Sequence, residues 1–344
     1  MHIAMLAAEN DALPGGKVGG IGDVLRDIPP ALTQCGHTVS VILPSYGSFH
    51  EQPGVKKLTL LPVRHEGVES SVAVYELPVD STPGVNIVVL DHPLFALCGK
   101  GSIYCNDPSD TPFASDARKF SLFCRAAAAL LVSQVIDSAD VIHLHDWHTA
   151  LFALLCRYDP LCKPLAGIRL VYSIHNLAIQ GIRPLKGTDS SLSSWFPDLT
   201  TDASVVSDPR WPHCVNPVAT AIRLSDAIHT VSPSYAVDIV CESRVETDGF
   251  YGGEGLEQEL SLAQQQGRLF GILNGCDYTD TTNAILPWPQ LLQTIREALH
   301  HWMSESRTLL TADYIADNRL SDWEKRPEPT HLSLIHISEP TRPY

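Results

Sequence analysis

The sequence predicts an α/β protein built on a Rossmann-like doubly wound parallel sheet, and three observations carry that prediction. Short apolar, β-branched runs alternate with helical patterns along most of the chain. The first run, His2 to Ala8, leads into a glycine-rich stretch, Gly15 to Val24 (GGKVGGIGDV), ahead of the helix-like segment Asp23 to Gln34. Polar clusters then fall where later apolar runs end, the place where ligands gather on an open parallel sheet.

The glycine stretch has two open readings. Glycines let a backbone come close to a ligand, the free N–H groups of a helix's first turn attract an anion, and Lys17 adds a mobile cation. Yet Gly20-Ile21-Gly22 lacks a third glycine three residues on, and Lys17 is followed by Val18 rather than Ser or Thr. Neither of the two commonest phosphate motifs fits, so a plain tight turn stays open. Further along the same helix, the Pro29-Pro30 pair is expected to kink or shorten it.

Next comes a β-rich run, His37 to Tyr46, behind a turn signal at Gly36. Strand candidates follow at Lys57 to Val63, Ser71 to Leu77 and Val85 to Leu90, each bounded by Gly, Pro or Asp. Thr111 to Val135 is a long helical pattern. Val141 to His145 (VIHLH) is a short strand leading into Asp146-Trp147-His148, which opens a helix through Tyr158. The alternation repeats with a strand at Arg169 to Ser173, a helix at Val218 to Leu224 and a strand at Ala227 to Val231. Ser232 and Pro233 then read as the cap and first position of a helix, Ser234 to Cys241. Beyond Asn274 the character changes to a helical Trp288 to Met303 and a Pro-rich, charged stretch, Trp323 to Pro329.

The chain's 344 residues suggest roughly two domains and allow a sizeable core. The net charge of −15 argues against a nucleic-acid or anionic-membrane surface, so any anionic substrate must be met by local cations. Nine cysteines form an odd set without a C-x-x-C pair, and Cys124, Cys156 and Cys276 stand among apolar neighbours as core residues. That usage predicts reduced thiols in a cytosolic protein. The N-terminus lacks the layout of a signal peptide, and the longest apolar stretch, Ala126 to Val132, is far too short to span a bilayer. A soluble, cytoplasmic protein is expected.

Three polar clusters fall at predicted strand ends: the Lys17 loop, His145-Asp146-Trp147-His148, and His175-Asn176. For the second, a helix N-cap at Asp146 beside a packed Trp147 is one reading and a ligand-facing cluster is the other. Metal binding is disfavoured, because no further Cys or His stands at ligand spacing from His145 and His148. His175-Asn176 reads either as a satisfied turn or as a strand-ending histidine that can hydrogen-bond a sugar hydroxyl or a backbone carbonyl oxygen.

Five segments together resemble the bacterial glycogen synthase and plant starch synthase family. They are KVGGIGDV (Lys17 to Val24), HLHDWHTAL (His143 to Leu151), SIHNLAIQG (Ser173 to Gly181), TVSPSYAVDI (Thr230 to Ile239) and GILNGCDY (Gly271 to Tyr278), in the family's order. The resemblance implies two Rossmann-like domains facing across a cleft, the GT-B glycosyltransferase architecture. It implies transfer of glucose from ADP-glucose to the non-reducing end of an α-1,4-glucan with retention of configuration, with no metal and no cofactor.

By the same resemblance, Lys17 matches a lysine at the donor diphosphate, Gly19 and Gly20 let the loop close on it, and Asp23 stands in the same loop. His175 matches a histidine at the reacting sugar, and Asp146 and His148 match cleft-lining residues that bind sugar hydroxyls. Asp146 and His175 are the catalytic candidates. Tyr104 matches an aromatic residue on the acceptor side, where Asn176 is also placed, and Asn274 lies at the domain junction on the donor side.

The expected organisation is therefore a Rossmann-like N-terminal domain over residues 1–250, an interdomain segment over 251–331 leading toward a mostly missing second domain, and a non-native tail over 332–344. That tail, LSLIHISEPTRPY, reads as a translated sequencing adapter and is expected to contribute nothing to the fold. The family's second domain is expected to carry an Arg, a Lys and a Glu for the donor. Without it, this polypeptide is expected to be essentially inactive, and a glucan-binding or regulatory half-enzyme is the alternative. A transferase of the same architecture with another sugar nucleotide is a third reading, disfavoured by the HDWH and IHN-x-x-x-QG pair.

Overall fold

The computed structural model describes residues 1–78, 82–275, 287–305 and 320–321. The elements of the first part are β1 (His2–Leu6), α1 (Gly20–Gln34), β2 (Thr38–Pro44), β3 (Lys56–His65), β4 (Val68–Leu77), β5 (Val85–Asp91), α2 (Ala114–Ser133), β6 (Val141–His145), α3 (Trp147–Tyr158) and β7 (Arg169–Ile174). They continue with β8 (Arg183–Pro184), α4 (Leu192–Trp195), α5 (Ala203–Val206), β9 (Cys214–Val215), α6 (Pro217–Leu224), β10 (Ala227–Thr230), α7 (Pro233–Asp238), α8 (Val245–Asp248), α9 (Glu257–Gln265), β11 (Leu269–Gly271) and α10 (Trp288–Glu305).

Nine strands form one sheet in the order β11-β10-β7-β6-β1-β2-β5-β4-β3, with a separate pair β8-β9. Every pairing in the large sheet is parallel except β4 with β5 and β3 with β4, so β4 alone runs against the rest. Central β1 is buried at all five positions, as expected of a parallel strand covered on both faces. The chain leaves β1 for β2 on one side and later returns to β6 on the other, which makes the β1/β6 boundary the switch point of the sheet. Met5 pairs with His143 and His145 with Ser173, so β1, β6 and β7 end at a common edge.

The first helix spans both prolines, which is a correction to the expected shortening. Ile21, Val24, Leu25 and Pro29 are buried on one face, and the ladder resumes after the prolines with Cys35 N–H on the Ala31 and Leu32 carbonyls. Packing therefore outweighs the two lost backbone bonds. The Ser232 cap is as expected: its hydroxyl accepts from Tyr235 N–H, with Pro233 at the first position.

Contacts divide the chain into Met1–Gly275 and Cys276–Tyr344. Segment 251–275 supplies α9 and β11 to the first unit, with Leu256, Leu260 and Ala263 in its core. In the second unit, Trp288 and Leu292 of α10 pack with Leu320, flanked by Leu291 and Ile295. Cys276, the stretch 323–329 and the tail 332–344 lie outside the described residues. Among the described residues no helix is long and apolar enough to cross a membrane.

Candidate active site at the strand ends

Glu9 is the first charged residue beyond β1 and is 2% exposed. Its Oε2 accepts the N–H of Val18 at 2.8 Å and of Gly19 at 2.6 Å, and its Oε1 accepts the Tyr104 hydroxyl at 2.6 Å. Gly19 is the N-cap of α1 and has no side chain to offer the helix, so the loop amides are answered by a carboxylate from the neighbouring strand end. The stretch is a tight turn, and the carboxylate its amides hold belongs to the chain itself.

The glycines divide by cause. A Cβ on Gly16 would lie 2.3 Å from the Asn10 carbonyl oxygen, so the fold itself requires glycine there. A Cβ on Gly20 would meet nothing within 4 Å, so the chain supplies no steric reason for that glycine. Lys17 stands on the rim with 40% of its side chain exposed, 2.6 Å from Asp23 and 3.8 Å from Asp11. Its hydrogen bond holds the Asp23 carboxyl below the ordinary range.

At the end of β6, Asp146 sits at φ 54°, a left-handed conformation that costs a non-glycine residue energy. Its carboxylate makes no cap bond to α3, which corrects the N-cap reading. Instead Oδ1 crosses to the end of β7, accepting the backbone N–H of His175 at 2.7 Å and of Asn176 at 3.4 Å. Burial pushes its carboxyl up to about 7, against the lowering effect of those two N–H groups. Asp146 is 4% exposed, and its side-chain contacts run to the His175 turn.

The His175 ring nitrogen Nε2 lies 3.0 Å from His145 Nδ1, with the rings stacked at 25°. Beside this pair, His143 Nε2 and His229 Nδ1 each lie 2.7 Å from the Ser173 hydroxyl. Burial lowers the His143, His148 and His175 imidazoles to about 3. They are neutral near pH 7. Asn176 is exposed, and its Oδ1 accepts from Ala178 N–H at 3.0 Å, closing a local turn.

Tyr104 and His148 meet on the other side of Glu9. Their ring centroids are 5.5 Å apart, and His148 also packs on Phe120 at 4.7 Å and Trp147 at 4.6 Å. The loop carrying Tyr104 is closed by a Cys98–Cys105 disulfide with Cα atoms 5.4 Å apart. This corrects the expectation of reduced thiols throughout. Turns at Gly99 and Gly101, both at positive φ, bring the two cysteines together, and a C-x6-C spacing does not announce that closure. Cys124 and Cys156 are buried thiols, as expected. Beneath the loop, buried Lys119 pairs with Asp116 at 2.7 Å and donates to the Ile103 carbonyl, while Asp116 accepts the Cys105 N–H at 3.2 Å.

The structure thus joins Gly19 to Tyr104 through Glu9, Tyr104 to His148 by ring contact, and Asp146 to His175 and Asn176. Lys17 and Asp23 pair with each other beside this group. Asn274 stands exposed after β11, and its N–H bonds the Val231 carbonyl at 3.2 Å. Among the described residues, no hydrogen bond links it to the others. Glu9 and Lys119 were missed from sequence. Glu9 carried a usable signal, since it ends the apolar run of β1; Lys119, inside a helical pattern, carried none. Among the described residues, no group of three or more His, Cys, Asp or Glu side chains is arranged to hold a metal.

Residues 2–261 match the family described as starch synthase catalytic domain. The chain is 32% identical over 286 residues to glycogen synthase of Streptococcus sanguinis, covering 82% of this chain and 54% of that protein. It is 33% identical over 279 residues to glycogen synthase of Hydrogenobaculum sp., covering 80% and 51%. Among solved structures it resembles the catalytic domain of starch synthase IV from Arabidopsis thaliana bound to ADP and acarbose. That match has a TM-score of 0.64 and 28% identity, over 90% of this chain and 60% of the other. The chain spans about half the length of the curated relatives it matches.

Proposed function

The chain belongs to the starch synthase catalytic-domain family, and we propose that its strand-end site is half of a glycogen synthase centre. The reaction is transfer of glucose from ADP-glucose to the non-reducing end of an α-1,4-glucan, with retention. One observation carries the proposal: the glycine loop, Tyr104 and the His175 turn converge on the carboxyl ends of β1, β6 and β7, at the switch point of the sheet. The ADP and acarbose bound by the similar Arabidopsis structure support a nucleotide and a carbohydrate ligand.

As the donor's anomeric carbon gains oxocarbenium character, negative charge grows on the leaving diphosphate and must be met by cations. Lys17 serves here by exchanging Asp23 for a phosphate oxygen. The exchange is favourable because an exposed ion pair is worth little, whereas a charge-assisted contact to phosphate is among the stronger hydrogen bonds. Gly19 and Gly20 leave room for the diphosphate beside the loop. His175 acts at the reacting sugar, and Asp146 fixes its backbone. Tyr104, His148 and Asn176 serve the sugar side, Asn274 serves the donor side, and no metal or cofactor takes part.

The test is ADP-glucose transfer to glycogen by a form of the protein extended to its relatives' length. There Lys17→Ala is expected to lower kcat/KM about tenfold, the usual loss for one charge-assisted contact. Unchanged kinetics would remove Lys17 from the donor site. In the same assay, His175→Ala is expected to lower kcat by at least about tenfold with KM changed less than about threefold, because its contact strengthens as the sugar reacts. Equal losses in both would make it a binding residue only. A glucan-binding half-enzyme is a second reading, favoured by a chain that spans about half its relatives' length. Glycogen binding by residues 1–344 without glucose transfer by the extended form would select it.

A further inference from the structure

We propose that His145 is a positioning residue for His175: it donates its Nδ1–H to His175 Nε2 and so fixes His175 as the Nδ1–H tautomer. The two nitrogens are 3.0 Å apart, a distance at which one of them carries the hydrogen and the other accepts it. The two tautomers are therefore locked together. If His145 donates, both rings are Nδ1–H tautomers; if His175 donates, both are Nε2–H.

The remaining atom of His145 decides between these states. His145 is 1% exposed, and its Nε2 is buried without a hydrogen-bond partner. In the Nε2–H state that atom is a stranded donor, the kind of buried group that native proteins almost always pair. In the Nδ1–H state it is only an unused lone pair. The spare atom of His175 is Nδ1, which makes no hydrogen bond among the described residues and is not a sealed atom. A donor there can be satisfied by solvent or ligand, whereas a donor on His145 Nε2 cannot. Both rings are held neutral by burial, so neither state is lost to protonation at neutral pH.

The consequence is a fixed donor at His175, suited to a sugar hydroxyl. That consequence rests on the function proposed above, but the tautomer does not. The test is nitrogen-15 NMR of the histidine rings in residues 1–344 without ligand. In the unsubstituted chain, His175 is expected to show a protonated Nδ1 and a bare Nε2. His145→Asn, whose amide can donate from nearly the place of Nδ1, is expected to keep that pattern. His145→Leu is expected to shift the His175 tautomer ratio by at least about tenfold, the effect of one lost hydrogen bond. A purely structural role would lower stability in His145→Leu and leave the ratio alone. A protonated His175 Nε2 in the unsubstituted chain, or an unchanged ratio in His145→Leu, overturns the proposal. If His145→Leu does not fold, the unsubstituted chain and His145→Asn still decide it. Failure of glucose transfer in the extended protein would overturn the function and leave the tautomer result standing.

Discussion

Lowering the pH from 6.5 to 5.5 is expected to destabilise the first unit by about 4 kcal/mol, a large part of the stability of an ordinary domain. Burial lowers the imidazoles of His143, His148 and His175 to about 3 and that of His65 to about 4, and pushes His145 well below its ordinary value. Neighbouring charge adds to this, from His229 at His143 and His175 and from Lys119 at His148. A group whose folded pKa is depressed binds its proton only after unfolding. Its stabilisation is complete above the unfolded value near 6.5 and is lost as pH falls toward the folded value. Over this single unit of pH each such histidine contributes a loss of about 1 kcal/mol.

Asp146 works in the opposite sense. Its folded value of about 7 lies above the unfolded carboxyl value, so the folded form takes up a proton first and is stabilised as pH falls through that window. One carboxyl returns about 1 kcal/mol against five histidines, and the histidines win. Urea unfolding of residues 1–344 at several pH values measures this directly. A stability that is flat between pH 7 and 5.5 would show that the imidazoles are not buried as described.

Most of the sheet was legible because its strands are short β-branched runs bounded by turn residues. β6 (Val141–His145) and the helix that follows it, ending at Tyr158, fall where periodicity put them. The gathering of polar residues at the strand ends was legible for a related reason, since polar residues just after an apolar strand have few places to go in a parallel sheet. What the residues do there was not. Asp146 has the sequence context of a helix cap, yet its carboxylate serves the next strand's turn, because φ 54° aims it across the sheet edge. Likewise Glu9 belongs to the glycine loop only through contacts to residues 9, 10 and 95 positions away. Such pairings depend on tertiary geometry, which a single sequence does not display.

Lys119→Met is expected to destabilise the first unit by about 3–5 kcal/mol, the usual result of removing one partner from a buried ion pair. The Lys119 ammonium has 1% of its side chain exposed and the Asp116 carboxylate 3%, at a separation of 2.7 Å. Burial dominates at both: it raises the Asp116 pKa and lowers that of Lys119, so each charge is costly and is sustained by the other. The ammonium also donates to the Ile103 carbonyl and lies 4.9 Å from the centre of the Phe120 ring. Without it, Asp116 must stay charged and unpaired or take up a proton, while the Ile103 carbonyl loses its donor. The damage should spread to the site, because Asp116 holds the Cys105 N–H beside Tyr104. Adding Asp116→Asn removes the stranded charge, so the double variant is expected to be more stable than Lys119→Met alone. Urea unfolding of wild type, both single variants and the double variant forms the required cycle. Simple additivity of the two losses would show that the residues do not sustain each other, and that the Tyr104 loop is held by its disulfide and turns instead.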